Sequence, residues 1–182
     1  MTKARELSDY TGLQGDLAGL QTNITAGDAA TQYMHVRDEK GPNNYPAGSS
    51  LAGVNIRVLN TVVSNTISGA SLSSNRVTLP SGSYLITGRA PAIKANDHKG
   101  YLYNVTASSL AITGSTAYNS SNAFYAQNDT FITGIVTISG TTVFEFRHLI
   151  ETARASEGLG INTYNSAAGV EVFAELLITK VS

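Results

Sequence analysis

From residue 32 to the end of the chain, apolar and polar side chains alternate with a period of two. Phe144, Phe146, His148 and Ile150 fall on one face of a segment, and Val143, Glu145, Arg147 and Leu149 on the other. Near the C-terminus Val170, Val172, Ala174, Leu176 and Ile178 alternate with Glu171, Phe173, Glu175, Leu177 and Thr179. Successive side chains of a strand point to opposite faces, so this is the pattern of strands covered on one side. Seven further runs of this kind span 33–38, 55–59, 75–79, 84–91, 100–106, 110–117 and 130–138. Gly, Ser and Asn separate them and no helical period intervenes, which predicts a mainly β, antiparallel sandwich or barrel of nine strands.

The spacing of these runs carries a second expectation. Pro80-Ser-Gly, Ala107-Ser-Ser and Ser139-Gly are tight connections, whereas 92–99, 118–129 and 152–169 are long. In an up-and-down order, alternate connections lie at the same end. One end is therefore expected to be trimmed to turns and the other to carry the long loops. If the last strand pairs antiparallel with the first, the chain enters and leaves at the trimmed end. Loops displayed by a rigid scaffold are the usual carriers of recognition. Asn119, Asn122, Phe124 and Tyr125, with Asn162, Tyr164 and Asn165, are the tip-loop residues suited to polar surfaces or sugars, because rings stack and amides bond hydroxyls.

The first 30 residues follow another period. Tyr10, Leu13, Leu17, Leu20 and Ile24 are spaced 3, 4, 3 and 4 apart, the a/d seam of a short coiled coil. Gly12, Gly15 and Gly19 weaken the helix, and a helix this short is marginal alone. It needs partner strands, or else packs as a lone amphipathic helix on its own domain.

Composition narrows the function. The 182 residues are enough for one domain plus an appendage. With no cysteine, disulfides, thiolate metal sites and thiol catalysis are excluded. A net charge of −1 and 14% charged residues leave no electrostatic footprint for nucleic acid. No apolar stretch is long enough to insert in a membrane as a helix, and the N-terminal residues do not read as a secretory signal.

Candidate chemistry is sparse. Only His35, His98 and His148 are present, and no Gly-x-Ser-x-Gly elbow accompanies them, so a hydrolase triad is not expected. Glycan cleavage needs two carboxylates across a cleft; Glu145, Glu157 and Glu171 lie on separate segments that nothing in the sequence brings together. Asp97 and His98, with His148 on the Phe144 face, supply too few ligands for a zinc or iron site. They read as a structural polar network around a buried histidine. No cofactor motif is found, since Gly158-Leu-Gly-Ile-Asn is not followed by a helix pattern.

A set of short motifs in order adds a resemblance. Arg37-Asp-Glu-Lys, Arg57-Val-Leu-Asn-Thr, Leu72-Ser-Ser-Asn-Arg-Val-Thr-Leu, Gly82-Ser-Tyr, Ala90-Pro-Ala, Asp97-His-Lys, Asn104-Val-Thr, Phe144-Glu, His148 and Val170-Glu-Val-Phe carry it. From Arg37 onward the chain resembles the C-terminal domain of phage tail fibres and related virion proteins, whose fold is similar to the trimeric jelly roll of the C1q and tumour necrosis factor group. The opening Met1-Thr-Lys-Ala-Arg-Glu-Leu is similar to the start of short phage fibre proteins. The resemblance implies a homotrimer with no catalysis and no cofactor, on the virion surface. Residues 1–30 would be a virion-docking arm and trimeric coiled-coil stem, attached to another virion protein. Residues 32–182 would be the jelly-roll head, presented to a host cell-surface glycan or protein. A head-surface decoration without a receptor and a glycan-cleaving depolymerase are the alternatives. Tryptophans common in the family are absent here, with Ile178 near the place of one, so a ligand site built on those rings is not implied.

Overall fold

The computed structural model of the chain describes residues 14–18, 31–42, 46–122, 126–163, 167 and 169–182. The chain divides into two units, Met1–Thr31 and Gln32–Ser182. In the first, residues 14–18 are helical and Leu17 is exposed. Tyr10, Leu13, Leu20 and Ile24, the other members of the proposed seam, lie outside the described residues.

The described part of the second unit contains eleven strands: β1 (Tyr33–Lys40), β2 (Gly53–Ile56), β3 (Thr61–Asn65), β4 (Ser71–Ser73), β5 (Arg76–Leu79), β6 (Gly82–Ile93), β7 (Asn96–Asn104), β8 (Ser109–Asn119), β9 (Gln127–Ile138), β10 (Thr142–Ile150) and β11 (Glu171–Lys180). They form two antiparallel sheets. One has the order β3-β1-β11-β6-β9; the other runs β4-β5-β10-β7-β8, with β2 also paired to β10. β5 and β2 share one edge of β10, at Thr142–Glu145 and Arg147–Ile150 respectively. This is a jelly-roll sandwich, as the alternation predicts.

β1 pairs antiparallel with β11, Tyr33 opposite Thr179, and Lys180 N donates to Gln32 O at 2.8 Å. The head is therefore entered and left at one end, which also holds the short turns 80–81, 105–108 and 139–141. The opposite end carries the described residues of 41–52, 120–126 and 151–170. The long loop expected at 92–99 is a correction. β6 runs to Ile93, β7 starts at Asn96, and the chain crosses between sheets in two residues. Positive φ at Lys94 (54°) and Asn96 (55°) makes that crossing possible, a conformation asparagine tolerates and lysine does not advertise. β3 and β4 were not expected; both are short, at sheet edges, and alternate poorly between core and solvent.

The core is not uniformly apolar. A large cluster including Met34, Val36, Leu102, Ile132, Phe144, Phe146 and Leu176 fills the turn end and middle. A smaller one of Ala47, Ala92, Ala95, Ile150, Leu159 and Phe173 lies toward the loop end. Between them, inward-facing polar residues occupy one level of the sandwich. On β10 the inward order is Phe144, Phe146, His148, Ile150; on β1 it is Met34, Val36, Asp38.

Candidate functional site

The loop-rich end is braced from inside by amides. Asn119 was expected at the tip surface, but it is buried. Its Oδ1 accepts from Ala95 N at 2.5 Å, and its Nδ2 donates to Ala92 O at 2.9 Å and Asn128 Oδ1 at 2.6 Å. An amide so engaged ties the β6–β7 crossing to β8 and is not free to meet a ligand. Asn162 is likewise buried. Asn122 is exposed, with its N–H on Ser120 Oγ at 3.2 Å. Phe124, Tyr125, Tyr164 and Asn165 lie outside the described residues.

Beneath that end, the expected polar network is present with a different membership. His98 Nδ1 and His148 Nε2 are 2.9 Å apart, and both residues are buried. His98 Nε2 lies 2.9 Å from Asn128 Oδ1. Asp97 is a correction: it points to solvent, and its backbone N–H meets Glu151 Oε2 at 3.2 Å. Period two puts Asp97 and His98 on opposite faces, so adjacency in sequence separates them in space. Two residues that the sequence did not nominate complete the layer. Arg57, fully buried, donates from Nη1 to Pro91 O (3.1 Å) and from Nη2 to Leu159 O (2.8 Å). Asp38 is also buried, and its two carboxyl oxygens have no hydrogen-bond partner among the described residues. Burial raises the Asp38 carboxyl above its ordinary range despite the nearby Arg57 charge.

The carboxylates weighed for glycan cleavage are structurally occupied. Glu145 is held between Arg76 (2.9 Å) and Arg147 (2.8 Å), and these bonds outweigh burial to keep its pKa below the usual range. Glu171 accepts from Thr163 Oγ1 at 2.7 Å, and Glu157 pairs with Arg154. Among the described residues no group of three or more metal-ligating side chains comes together.

The most distinctive surface is the outer face of the five-stranded sheet. Register aligns three rows across β1, β11, β6 and β9: Tyr33, Thr179, Leu85, Ile135; then His35, Leu177, Thr87, Thr133; then Arg37, Glu175, Arg89, Phe131. Ile135 is 66% exposed and Phe131 55%, and Leu177, Tyr33 and Leu85 are also exposed. A depression of about 470 Å³ lies among His35, Thr87, Arg89, Phe131, Glu175 and Leu177. Glu175 accepts from Arg89 Nε at 2.5 Å and lies 3.1 Å from His35 Nε2; these contacts overcome burial and hold it below the ordinary carboxylate range. The signal for this face is in the sequence. Phe131-Ile132 and Leu176-Leu177 place apolar residues on both sides of strands that need only one side for the core.

A bulge positions Phe131. Between Lys99 and Tyr101 the register of β7 with β8 shifts, so Gly114 and Ser115 stand opposite Gly100. Ser115 then reaches across the open edge of the sandwich: its Oγ accepts from Phe131 N at 2.9 Å, and its carbonyl accepts from Thr130 Oγ1 at 2.6 Å. The two sheets are stitched at β8 and β9, with the Phe131 ring turned outward.

No protein-family model matches the sequence, and no curated protein matches it. Among solved structures, the chain is similar to murine APRIL at pH 5.0, with a TM-score of 0.54 at 14% identity over 83% of this chain and 99% of that one. Murine APRIL at pH 8.0 gives 0.53 at 12% identity over the same shares. The globular domain of zebrafish complement 1qA gives 0.48 at 13% identity, over 84% of this chain and 98% of that one. At these identities the likeness to murine APRIL concerns fold alone, and the strand-bearing unit is an antiparallel jelly-roll sandwich.

Proposed function

We propose that the chain is a homotrimeric bacteriophage fibre protein. Residues 1–30 fix it to another virion protein, and the loop-rich end of the head is presented to a glycan or protein on the host surface. The observation that carries the reading is the outer face of the five-stranded sheet. Exposed Phe131, Ile135, Leu177, Leu85 and Tyr33 on one flat face form an apolar surface of the kind that marks an interface in a soluble protein. A second copy supplies an occupant of matching chemistry, since its own face carries both signs of charge at Arg37, Arg89 and Glu175. Threefold closure then brings three loop-rich ends together, and multivalent display raises avidity with no new contact. The chain enters the head at the end opposite the long loops, the arrangement of a stalked adhesin. The engagement of Glu145, Glu157 and Glu171 within the fold favours binding over glycan cleavage.

Two measurements test this. The full chain is expected to have the mass of three subunits, both intact and without residues 1–30. Ile135→Glu, at a position open in the isolated subunit, is expected to give a single-chain mass with unchanged β-sheet circular dichroism. A monomeric unsubstituted chain overturns the reading. Tyr125→Ala with Tyr164→Ala is expected to reduce adsorption to host cells at unchanged trimer mass, and full adsorption by that variant removes the host-recognition role from these rings.

A further inference from the structure

The polar layer is expensive for a protein core, and its hydrogen bonds run to the loop-rich end. Arg57 holds Leu159 O of the 151–170 connection and Pro91 O of β6. Asn119 and Asn128 join β8, β9 and the β6–β7 crossing, and His98 touches both amides. Asn55, which braces Leu51 O, also approaches His148 O at 3.4 Å. Every connection at that end except the described edges of 41–50 is thus tied, directly or through one amide, to a level containing two imidazoles. The residues of the opposite end pack on an apolar cluster.

The imidazole contact has room for one proton. Asn128 Oδ1 beside His98 Nε2 calls for a hydrogen there, which leaves His98 Nδ1 to accept from His148 Nε2–H. His148 Nδ1 is then bare, buried and without a partner. A proton added to His98 Nδ1 would face the His148 N–H across 2.9 Å. A proton added to His148 Nδ1 would create an unpartnered buried cation beside the Arg57 guanidinium.

We propose that this layer is an acid-sensitive latch: on acidification below about pH 6, the His98–His148 contact gives way and frees the loop-rich end while the turn end stays folded. The charges around the pair set the direction. Arg57 opposes a charge on either imidazole, and Arg89 on β6 acts against Arg57 itself. Asp97 on β7 and Asp129 on β9 favour one at His98, but Asp97 is exposed and Asp129 is engaged by Arg89. Asp38 on β1 interacts with the Arg57 charge, and Asn119 on β8 is neutral. Burial prevails: it lowers His98, and together with Arg57 and His98 it pushes His148 down to about 2. Both groups have depressed folded pKa values. Their neutral forms therefore support the closed state fully above about pH 6.5, and that support is lost as pH falls below it. The proposal requires nothing of the virion reading.

Hydrogen exchange on the full chain tests it, with rates corrected for the intrinsic pH dependence of exchange. Opening of 92–100, 117–122 and 148–163 is expected to rise at least about 30-fold between pH 7 and pH 5, from roughly tenfold per unit below 6.5 for each histidine. Segments 84–88 and 176–178 are expected to open less than threefold more. Ring nitrogen spectra of histidine-labelled protein should show the His98 and His148 rings less protonated in the closed state at pH 5 than a free histidine. His98→Gln, which puts a non-titrating amide in place of the ring, should halve the pH slope and leave the part due to His148. Should that variant fail to fold, the unsubstituted chain still decides. Equal pH response in both sets of segments, or rings that titrate near 6.5 in an intact fold, overturns the proposal.

Discussion

Gly114→Ala is expected to lower the melting temperature of the head by roughly 9 °C, corresponding to about 3 kcal/mol in a domain of this size. A Cβ at Gly114 would sit 2.3 Å from Gly100 O and 2.6 Å from Phe131 O. Both obstacles are backbone carbonyls, one on β7 and one on β9, so no side chain can rotate away. The two sheets must part where Ser115 and Thr130 stitch them, and the ladder bonds near the bulge lengthen with them. Gly140→Ala is the matched control: nothing lies within 4 Å of its added carbon, and a change of less than 1 °C is expected. The same substitution bears on assembly, because the stitch turns Phe131 onto the outer face. Thermal denaturation of both variants, with the subunit mass of each, separates the two effects. A melting temperature for Gly114→Ala within 2 °C of the parent would show that this edge is not closed as described.

The sandwich was legible because most of its strands have one covered face. β10 and β11 alternate cleanly, and the antiparallel pairing of β1 with β11 follows once first and last strands are assumed neighbours. β3 was not legible for the opposite reason: Val62 and Val63 are adjacent and both exposed, so no period exists to read. The β6–β7 crossing hides in Lys94 and Asn96, which take positive φ without a glycine to mark it. Asn119 misleads because asparagine between apolar runs reads as turn chemistry. Here the same amide, on the last residue of β8, bonds the neighbouring crossing. His148 was legible as buried from its place in the Phe144 series, and His98 as its neighbour, but the rest of the layer was not, since Arg57 and Asn128 lie 91 and 20 positions from His148. Tertiary placement of polar side chains in a core leaves no periodic trace.

Arg57→Ala is expected to have the largest effect of any single substitution considered, about 4 kcal/mol and roughly 12 °C in melting temperature. The side chain is fully buried, and although burial lowers its pKa to about 10, with Asp38 and Asp129 opposing, it is charged at neutral pH. Its removal leaves Pro91 O and Leu159 O without their donor, opens a cavity at the polar layer, and strips Asp38 of its nearest counter-charge. The three consequences separate by a double-mutant cycle. Arg57→Met fills most of the volume but isolates the Asp38 carboxyl, whereas Arg57→Met with Asp38→Asn removes both charges. The double variant is expected to lose about 1 to 3 kcal/mol less than the sum of the singles. Strict additivity would show that Asp38 and Arg57 do not sense one another. The cycle also reaches the imidazoles. With the guanidinium gone, the positive potential on His148 falls, its proton affinity in the closed state rises, and the acid-driven increase in opening of the loop-rich end should be smaller in total than in the parent, with its onset unchanged. Hydrogen exchange of 148–163 in Arg57→Met and in the parent, followed from pH 7 to about pH 3.5, measures that difference, and an equal acid-driven increase in both would remove Arg57 from the charges that act on His148.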